Sequence, residues 1–382
     1  MATKEAGRLT WLDGLRGAAI LLVIMRHVFD RPFAQLYDKV IVSDGVTATL
    51  VLAIGSIGWA GVAIFFVISG YLVAGGAVLA ARDQRFFIWE FLAKRAVRVF
   101  LPAAVFLVLW SLVAPEQLDD SLLATAANFL FFANYTDNNW LAQYWSLDVE
   151  AHFYVAVALL VPLAVRFPDT RRLGWGLAAV ATLFAIIKIA AATSGVMPGQ
   201  DFYSYSHWQI DFFAAGAALR LILDGSETPR RLSLYGVPVA LVALIAASMV
   251  LVGASDSAGM FVLSVTLVLI AAVALCLGAS GVVARFFGSA PLRAIGAISF
   301  SVYIVHLSLI EAIQPWLVQA ASFFGSDPLV TYLAMLVPAV VLSLAAGALF
   351  YVAIERPAYR WHQRIHLRPR LAPPLLKAAE SR

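Results

Sequence analysis

The sequence predicts an all-α integral membrane protein, a bundle of about ten transmembrane helices with both termini in the cytoplasm. The 382 residues are 62% hydrophobic and only 13% charged, whereas soluble domains are about 45–50% apolar and about 25% charged. Apolar runs of about 20 residues, the length that crosses a bilayer as a helix, recur along the chain. Lysine and arginine concentrate in alternate loops, which is typical of cytoplasmic loops.

Ten stretches have the length and hydropathy of a membrane span. Their predicted boundaries are 12–30, 58–80, 97–114, 149–166, 174–193, 209–223, 234–253, 259–279, 297–319 and 330–354. Residues 46–57 are also apolar, and we expect a re-entrant or interfacial segment there. Helices are expected because lipid offers no partner to free backbone groups, and the runs lack the alternation of strands. Residues 1–365 are predicted to form one membrane domain and residues 366–382 a polar cytoplasmic tail.

The basic residues predict the orientation. One set of loops and the tail carry nearly all of them, while the alternate loops carry only Arg31 and Lys39 and are rich in acidic residues. This pattern fits an even number of spans and places the basic loops against the anionic inner leaflet. The net charge of +4 is therefore no indication of nucleic-acid binding. With one cysteine, Cys276, and scattered histidines, we expect neither an internal disulfide nor a metal site.

Ionisable residues inside predicted spans are functional candidates. Arg16 and His27 lie about 16 Å apart along the first span and on roughly one face, whereas Arg26 is expected to snorkel outward. Glu150 is predicted near the outer end of its span, at the depth of His27. A carboxylate beside an imidazole would fix its tautomer and raise its basicity. The alternatives are a packed histidine and a solvated carboxylate at a helix start.

Two further groups share a helix face. Arg95 and Arg98 are three residues apart, which suits two guanidiniums to phosphate oxygens, although the positive-inside rule alone also explains them. Ser299, Tyr303 and His306 form one stripe, which indicates either a ligand-lined face or hydrogen bonds between helices.

Three more ionisable residues lie in predicted spans without an evident partner. They are Lys188, Asp211 and Glu311. Lys188 and Glu311 both fall toward the outer halves of their spans and could pair.

Six motifs in order resemble the acyltransferase 3 family of membrane O-acyltransferases, which includes bacterial O-antigen, exopolysaccharide and macrolide O-acetylases. They are GLRGAAILLVIMRH at 14–27, FFVISGYL at 65–72, KRAVRVFLP at 94–102, WSLDVEAHFY at 145–154, SFSVYIVH at 299–306 and IERP at 354–357. The chain departs from the family at Ala151, where a second acidic residue is frequent. It also departs at 204–213, where His207 is present and an arginine is missing. The second departure leaves the identity of the acceptor open.

The resemblance implies transfer of an acyl group, most often acetyl, from cytoplasmic acyl-CoA to a hydroxyl of a carbohydrate, lipid-linked sugar or small molecule. His27 would be the general base and Glu150 would orient it, with direct transfer and an acyl-His27 intermediate both open. Arg16, Arg95 and Arg98 would bind acyl-CoA. The residues expected to line the acyl tunnel or stabilise the oxyanion are Ser69, Tyr71, Trp145, Ser146, Ser299, Tyr303 and His306.

The expected location is the cell inner membrane, with acetyl-CoA as co-substrate, no resident cofactor or metal, and no prediction of oligomeric state. Two rival functions use the same kinds of residue. A proton-coupled secondary transporter also needs buried ionisable groups, but the two-fold repeat of many transporters is not evident in the sequence. The other rival is an acyl-group translocator that feeds a separate transferase.

Overall fold

The computed structural model describes residues 2–36, 45–115, 121–136, 139–194, 201–224, 282–324 and 327–365, and parts of 239–247 and 266–274. Within these ranges all regular secondary structure is helical. The all-α class predicted from the sequence is therefore confirmed.

Eleven helices of the described ranges position the site. They are α1 (Ala2–Asp30), α2 (Val46–Arg82), α3 (Ile88–Val113), α4 (Leu122–Phe129), α5 (Trp145–Ala164), α6 (Thr170–Thr193), α7 (Ile210–Ile222), α8 (Val282–Phe287), α9 (Ala290–Ala297), α10 (Ser299–Ala321) and α11 (Pro328–Arg364). Short 3₁₀ turns between them include Ala133–Tyr135, Ala142–Tyr144, Asp201–Ser204 and Ser206–Gln209.

Six of these helices are long and apolar enough to cross a membrane, judged by length and composition: α2, α3, α5 with its preceding turn, α6, α10 and α11. Each overlaps one of the predicted spans: α2, α6 and α11 contain theirs, whereas the spans 97–114, 149–166 and 297–319 extend one or two residues beyond α3, α5 and α10. The predicted span 12–30 lies within α1, and 209–223 corresponds to α7, which has 13 residues. The spans 234–253 and 259–279 fall largely outside the described residues. The count of ten spans and the orientation therefore stay predictions.

Local sequence explains where several helices begin. The side chain of Asp327 accepts a hydrogen bond from the backbone N–H of Val330 at 2.9 Å and precedes Pro328, so α11 starts with a cap and a helix-compatible proline. Asp169 caps α6 in the same way, through the N–H of Arg171 at 2.8 Å. Residues 46–57, expected to be re-entrant or interfacial, form a 12-residue helix that a turn at Gly58 and Trp59 separates from the rest of α2. Their place relative to the membrane stays a prediction.

Helix α1 packs against α2, α9, α10 and α11, so its side chains reach the interior of the bundle. The contact with α9 is very close. A Cβ atom on Gly296 would lie 1.7 Å from the carbonyl oxygen of Asp13, and one on Gly17 would lie 2.2 Å from that of Leu292. Only glycine allows the two backbones to approach this closely.

Three helices contain a π-helical turn: Gly70–Ala74 in α2, Ala96–Phe100 in α3 and Tyr351–Glu355 in α11. A π turn inserts one extra residue, which rotates the following side chains relative to a regular helix, and such turns often occur at functional sites. All three lie beside the same cavity.

Candidate active site

A cavity of about 330 Å³ lies between α1, α2, α3, α5, α10 and α11. Its polar lining residues are Arg16, Ser69, Arg95, Arg98, Ser146, Glu150, Tyr154, Ser299, Tyr303 and Glu355. Three guanidiniums and two carboxylates therefore face one space. Buried charges require partners or a ligand, so a cavity of this composition is suited to an anionic molecule that also offers hydrogen-bonding groups.

Two of the three guanidiniums, those of Arg95 and Arg98, form cation–π contacts with aromatic rings. The Arg95 guanidinium carbon lies 5.4 Å from the ring centroid of Tyr154, and that of Arg98 lies 5.6 Å from the ring centroid of Tyr359. A guanidinium carbon over a ring at this distance is a cation–π contact, which needs no N–H group as a hydrogen-bond donor, so the N–H groups stay available to an anion. The third guanidinium, of Arg16, interacts electrostatically with Arg98 and with both cavity carboxylates. The structure thus brings together the three arginines predicted to bind acyl-CoA.

Hydroxyl groups fix both carboxylates of the cavity. Glu150 accepts hydrogen bonds from Ser69 Oγ at 3.1 Å and from the hydroxyl of Tyr154. Glu355 accepts one from the hydroxyl of Ser301. Tyr154 and Glu355 were not predicted as site residues, although both lie inside the motifs WSLDVEAHFY and IERP. Their position at the cavity depends on helix packing and on the π turn that ends at Glu355, which hydropathy does not reveal.

The predicted contact between His27 and Glu150 is not among the hydrogen bonds and ion pairs of the described residues. Helix α5 begins at Trp145, four residues before the predicted span, after a buried turn at Ala142–Tyr144. Glu150 therefore lies deeper in the bundle, in the second turn of α5, beside Ser69 and close to Arg16. The depth argument that paired it with His27 was wrong.

His27 instead lies against His306. Their ring centroids are 5.1 Å apart and the ring planes are inclined by 43°. His306 is fully buried, and its Nδ1 lies 2.7 Å from the backbone carbonyl oxygen of Tyr303. A carbonyl oxygen accepts, so Nδ1 must carry a hydrogen, and in the neutral ring Nε2 then carries the lone pair. Within the described part of the chain, Nε2 has no hydrogen-bond partner.

Tyr303 connects this histidine pair with the cavity. Its ring centroid lies 5.4 Å from that of His306, and its hydroxyl lies 2.5 Å from Ser146 Oγ and donates to the carbonyl oxygen of Gln143 at 3.0 Å. Tyr303 and Ser146 both line the cavity. A continuous series of polar side chains therefore runs from the cavity through Ser146, Tyr303 and His306 to His27. We call this series the polar path.

The other predicted lining residues divide into two groups. Ser69 and Ser299 line the cavity, and the buried Ser299 hydroxyl has no partner among the described residues. Tyr71 and Trp145 do not line it in the described structure. The ring of Tyr71 faces the guanidinium of Arg220 at 5.4 Å, and that of Trp145 packs against Tyr203 with centroids 5.3 Å apart. His306 lies behind Tyr303, outside the cavity lining.

The remaining ionisable residues have partners that the sequence did not indicate. Lys188 Nζ lies 2.5 Å from Asp211 Oδ2, and both side chains are only 1% exposed. Glu311 pairs with Arg31 at 3.4 Å, so the conjectured pair of Lys188 with Glu311 was wrong. Arg26 forms an ion pair with Asp30 at 2.6 Å. Across the described residues, no three His, Cys, Asp or Glu side chains are grouped to hold a metal.

The family model described as an acyltransferase domain, acyltransferase 3, matches residues 9–348, which is most of the chain. The chain therefore belongs to the acyltransferase 3 family.

Among characterised proteins, the chain is similar to O-acetyltransferase OatA of Staphylococcus aureus, in strains NCTC 8325 / PS 47, COL and MRSA252. The identity is 25%, over 91% of this chain and 56% of each relative. The chain thus spans about half the length of the curated relatives that it matches. No solved structure gives a significant match.

Proposed function

We propose that this chain is a membrane O-acetyltransferase that moves an acetyl group from acetyl-CoA to a hydroxyl group. The main observation in support of the proposal is that two different sites, an arginine-lined cavity and a pair of histidines, are connected. A cavity with three arginines is joined by the polar path to a pair of histidines, in a chain that belongs to an acyltransferase family. The similarity to O-acetyltransferase OatA supports acetyl as the group transferred.

The arginine cavity is proposed to bind the phosphates of coenzyme A. Arg16, Arg95 and Arg98 supply donors with the fork geometry that suits phosphate oxygens. CoA is cytoplasmic, and the basic loops predicted to be cytoplasmic adjoin the Arg95 and Arg98 end of α3. Arg16 and His27 lie about 16 Å apart along α1. An extended pantetheine arm is long and thin enough to carry a thioester along that distance.

Ser146 and Tyr303 are proposed to contact the thioester carbonyl at the inner end of the cavity. Their hydroxyls are 2.5 Å apart and line the cavity wall nearest to His306. In the structure both hydroxyls are within hydrogen-bond distance of the Gln143 carbonyl oxygen. Rotation of their O–H bonds toward a bound thioester would supply two donors for the negative charge that develops on its carbonyl oxygen during transfer. We therefore assign Ser146 and Tyr303 to the stabilisation of the oxyanion. Ser69 instead positions Glu150 in the donor cavity.

The histidine pair is proposed to activate the acceptor. His27 takes the proton from the acceptor hydroxyl as its oxygen bonds to the acetyl carbon. The carbon–sulfur bond breaks, and the proton passes to the departing thiolate to give CoA–SH. His306, whose Nδ1 is held by the Tyr303 carbonyl, packs against the His27 ring with centroids 5.1 Å apart and orients it by that contact. His306 acts through His27 and is a positioning residue.

The separation of the two sites gives a sharp test with purified protein in lipid nanodiscs. His27→Gln should abolish transfer of labelled acetyl to a hydroxyl acceptor while leaving the affinity for acetyl-CoA unchanged, because His27 does not line the cavity. Arg95→Gln combined with Arg98→Gln should raise the KM for acetyl-CoA at least tenfold, since each charged hydrogen bond contributes about 1.5–3 kcal/mol.

The outcomes separate the proposal from its rivals. Full turnover by His27→Gln would contradict the base assignment. An arginine effect confined to the acceptor KM would contradict the donor site. A wild-type protein that concentrates an unmodified solute would be a transporter, and one that releases acetyl groups across the bilayer without esterifying a free acceptor would be a translocator.

A further inference from the structure

The last helix, α11, is longer than a membrane crossing requires. It is continuous from Pro328 to Arg364 over 37 residues, which is about 55 Å of helix, whereas the hydrocarbon core of a bilayer is about 30 Å thick. The predicted span covers 330–354, so residues 356–364, with the sequence RPAYRWHQR, extend beyond it. We call these nine residues the α11 extension. They contribute neither to the cavity lining nor to the polar path.

One exposed ridge of α11 changes from apolar to basic where the predicted span ends. Within the span the ridge includes Leu349 and Val352, which are 73% and 58% exposed and therefore face lipid. Beyond it the ridge continues with Arg356, Arg360 and Arg364, all exposed and spaced four residues apart, so they share one helix face. The arginines thus continue the lipid-facing side of the helix at the level where hydrocarbon gives way to headgroups.

These three arginines have no acidic partner in the described part of the chain. None of them forms an ion pair or a hydrogen bond there. The adjacent carboxylate, of Glu355, faces the cavity and accepts a hydrogen bond from Ser301. Like charges four residues apart destabilise a helix, and an anion held between them would offset that repulsion. The ridge is therefore suited to a ligand that brings negative charge from outside the protein.

The opposite face of the α11 extension is fixed to the bundle. Ala358 is buried, and the extension packs against residues 88–100 of α3. The ring of Tyr359 lies 5.6 Å from the guanidinium carbon of Arg98 and stacks on the ring of His362 with centroids 5.5 Å apart. Because this inner face is held by packing, the arginine ridge has a fixed direction, away from the bundle.

A tryptophan lies beside the arginine ridge. Trp361 is 57% exposed and follows Arg360 directly. Tryptophan is enriched at the membrane–water interface, where its ring lies at the level of the headgroups. The α11 extension thus presents an interfacial aromatic ring and three cations to the same region of the bilayer.

We propose that Arg356, Arg360 and Arg364 bind the phosphate of an acidic phospholipid, with Trp361 packed beside its headgroup. Guanidiniums match phosphate oxygens in charge and geometry, and clusters of basic residues just beyond a span bind anionic lipids. This lipid site does not depend on acetyl transfer. One alternative is that the arginines only set the topology of the chain. Another is that they extend the donor site, since Tyr359 contacts Arg98.

The test compares loss of the ridge with loss of the same charge elsewhere. One variant combines Arg356→Gln, Arg360→Gln and Arg364→Gln, and a second places lysine at the same three positions, which keeps the charge without the guanidinium fork. The matched control replaces three exposed arginines that follow α5 or lie on α8 and α9, and so share no helix face: Arg166→Gln, Arg285→Gln and Arg293→Gln. All proteins are prepared in nanodiscs of phosphatidylcholine and phosphatidylglycerol in equal parts.

Native mass spectrometry identifies the lipids that stay bound on release from the nanodisc, and titration of short-chain phosphatidylglycerol in neutral detergent gives the affinity. Wild type should retain phosphatidylglycerol in preference to phosphatidylcholine. The glutamine triple should lose this preference and bind phosphatidylglycerol more weakly by about tenfold or more, because each basic residue near an anionic lipid surface contributes about fivefold. The lysine triple should lose less, and the control should match wild type.

Three outcomes would overturn the lipid site. The first is equal retention of phosphatidylglycerol by the glutamine triple, and the second is an equal loss in the control, which would leave only a topological role. The third is displacement of phosphatidylglycerol by coenzyme A together with a raised KM for acetyl-CoA in the glutamine triple, which would assign the arginines to the donor. Acetyl-CoA turnover is assayed on the same samples, so a wild-type protein that selects phosphatidylglycerol without transferring acetyl would contradict the proposed function and leave the lipid site intact.

Discussion

The buried ion pair between α6 and α7 offers a quantitative test of the packing. Lys188 Nζ lies 2.5 Å from Asp211 Oδ2, and both side chains are 1% exposed. Lys188 Nζ also lies 4.8 Å from the ring centroid of Phe212. Removal of one partner leaves the other as an uncompensated buried charge, which costs about 3–5 kcal/mol, whereas replacement of both by apolar residues of similar volume is often neutral or stabilising.

The experiment is a double-mutant cycle in which the free energy of unfolding is measured by SDS titration in mixed micelles. Lys188→Met and Asp211→Leu should each destabilise the protein by about 3–5 kcal/mol, and the double variant should recover most of that loss. The exposed pair of Arg31 and Glu311, with an N–O distance of 3.4 Å and side chains 45% and 39% exposed, is the matched control and should contribute less than about 1 kcal/mol. Single variants that cost under about 1 kcal/mol, or a double variant no more stable than the singles, would refute the reasoning.

Three further predictions concern the bundle and the cavity. Gly296→Ala should strongly reduce the folded yield and the thermal stability, because its Cβ would lie 1.7 Å from the Asp13 carbonyl oxygen, whereas Gly76→Ala, with nothing within 4 Å, should be tolerated. Glu355→Gln should lower the KM for acetyl-CoA, since it removes a carboxylate that competes with phosphate for the cavity arginines; an increase would show that Glu355 assists donor binding. Tyr303→Phe should lower kcat by about 10²–10³ with little change in donor KM, and an unchanged kcat would exclude its oxyanion role.

Hydropathy and residue spacing were sufficient to predict the helical class, six spans and the arginine pair. Arg95 and Arg98 both line the cavity, as their shared helix face predicted. The prediction was correct because residues three apart share a face of the same helix, so no information about other helices was needed.

Contacts between residues of different helices were harder to predict, because such a prediction requires the depth of each helix in the membrane. Glu150 was misplaced because α5 starts four residues earlier than its apolar run suggests. His306 reaches His27 through the packing of α10 on α1, which no local pattern specifies. The three π turns are likewise invisible in composition, yet one of them carries Glu355 to the cavity wall.

The measurement that tests the central claim most directly uses proteoliposomes in which donor and acceptor are on opposite sides. Radiolabelled acetyl-CoA is supplied on the side where the cavity of Arg95 and Arg98 opens. A membrane-impermeant tetrasaccharide is supplied on the other side as the hydroxyl acceptor. We predict alkali-labile ester label on the sugar with wild type and none with His27→Gln. Transfer only when both substrates share one side, or free labelled acetate crossing to an unmodified sugar, would contradict an acetyl route from the arginine cavity to the histidine pair.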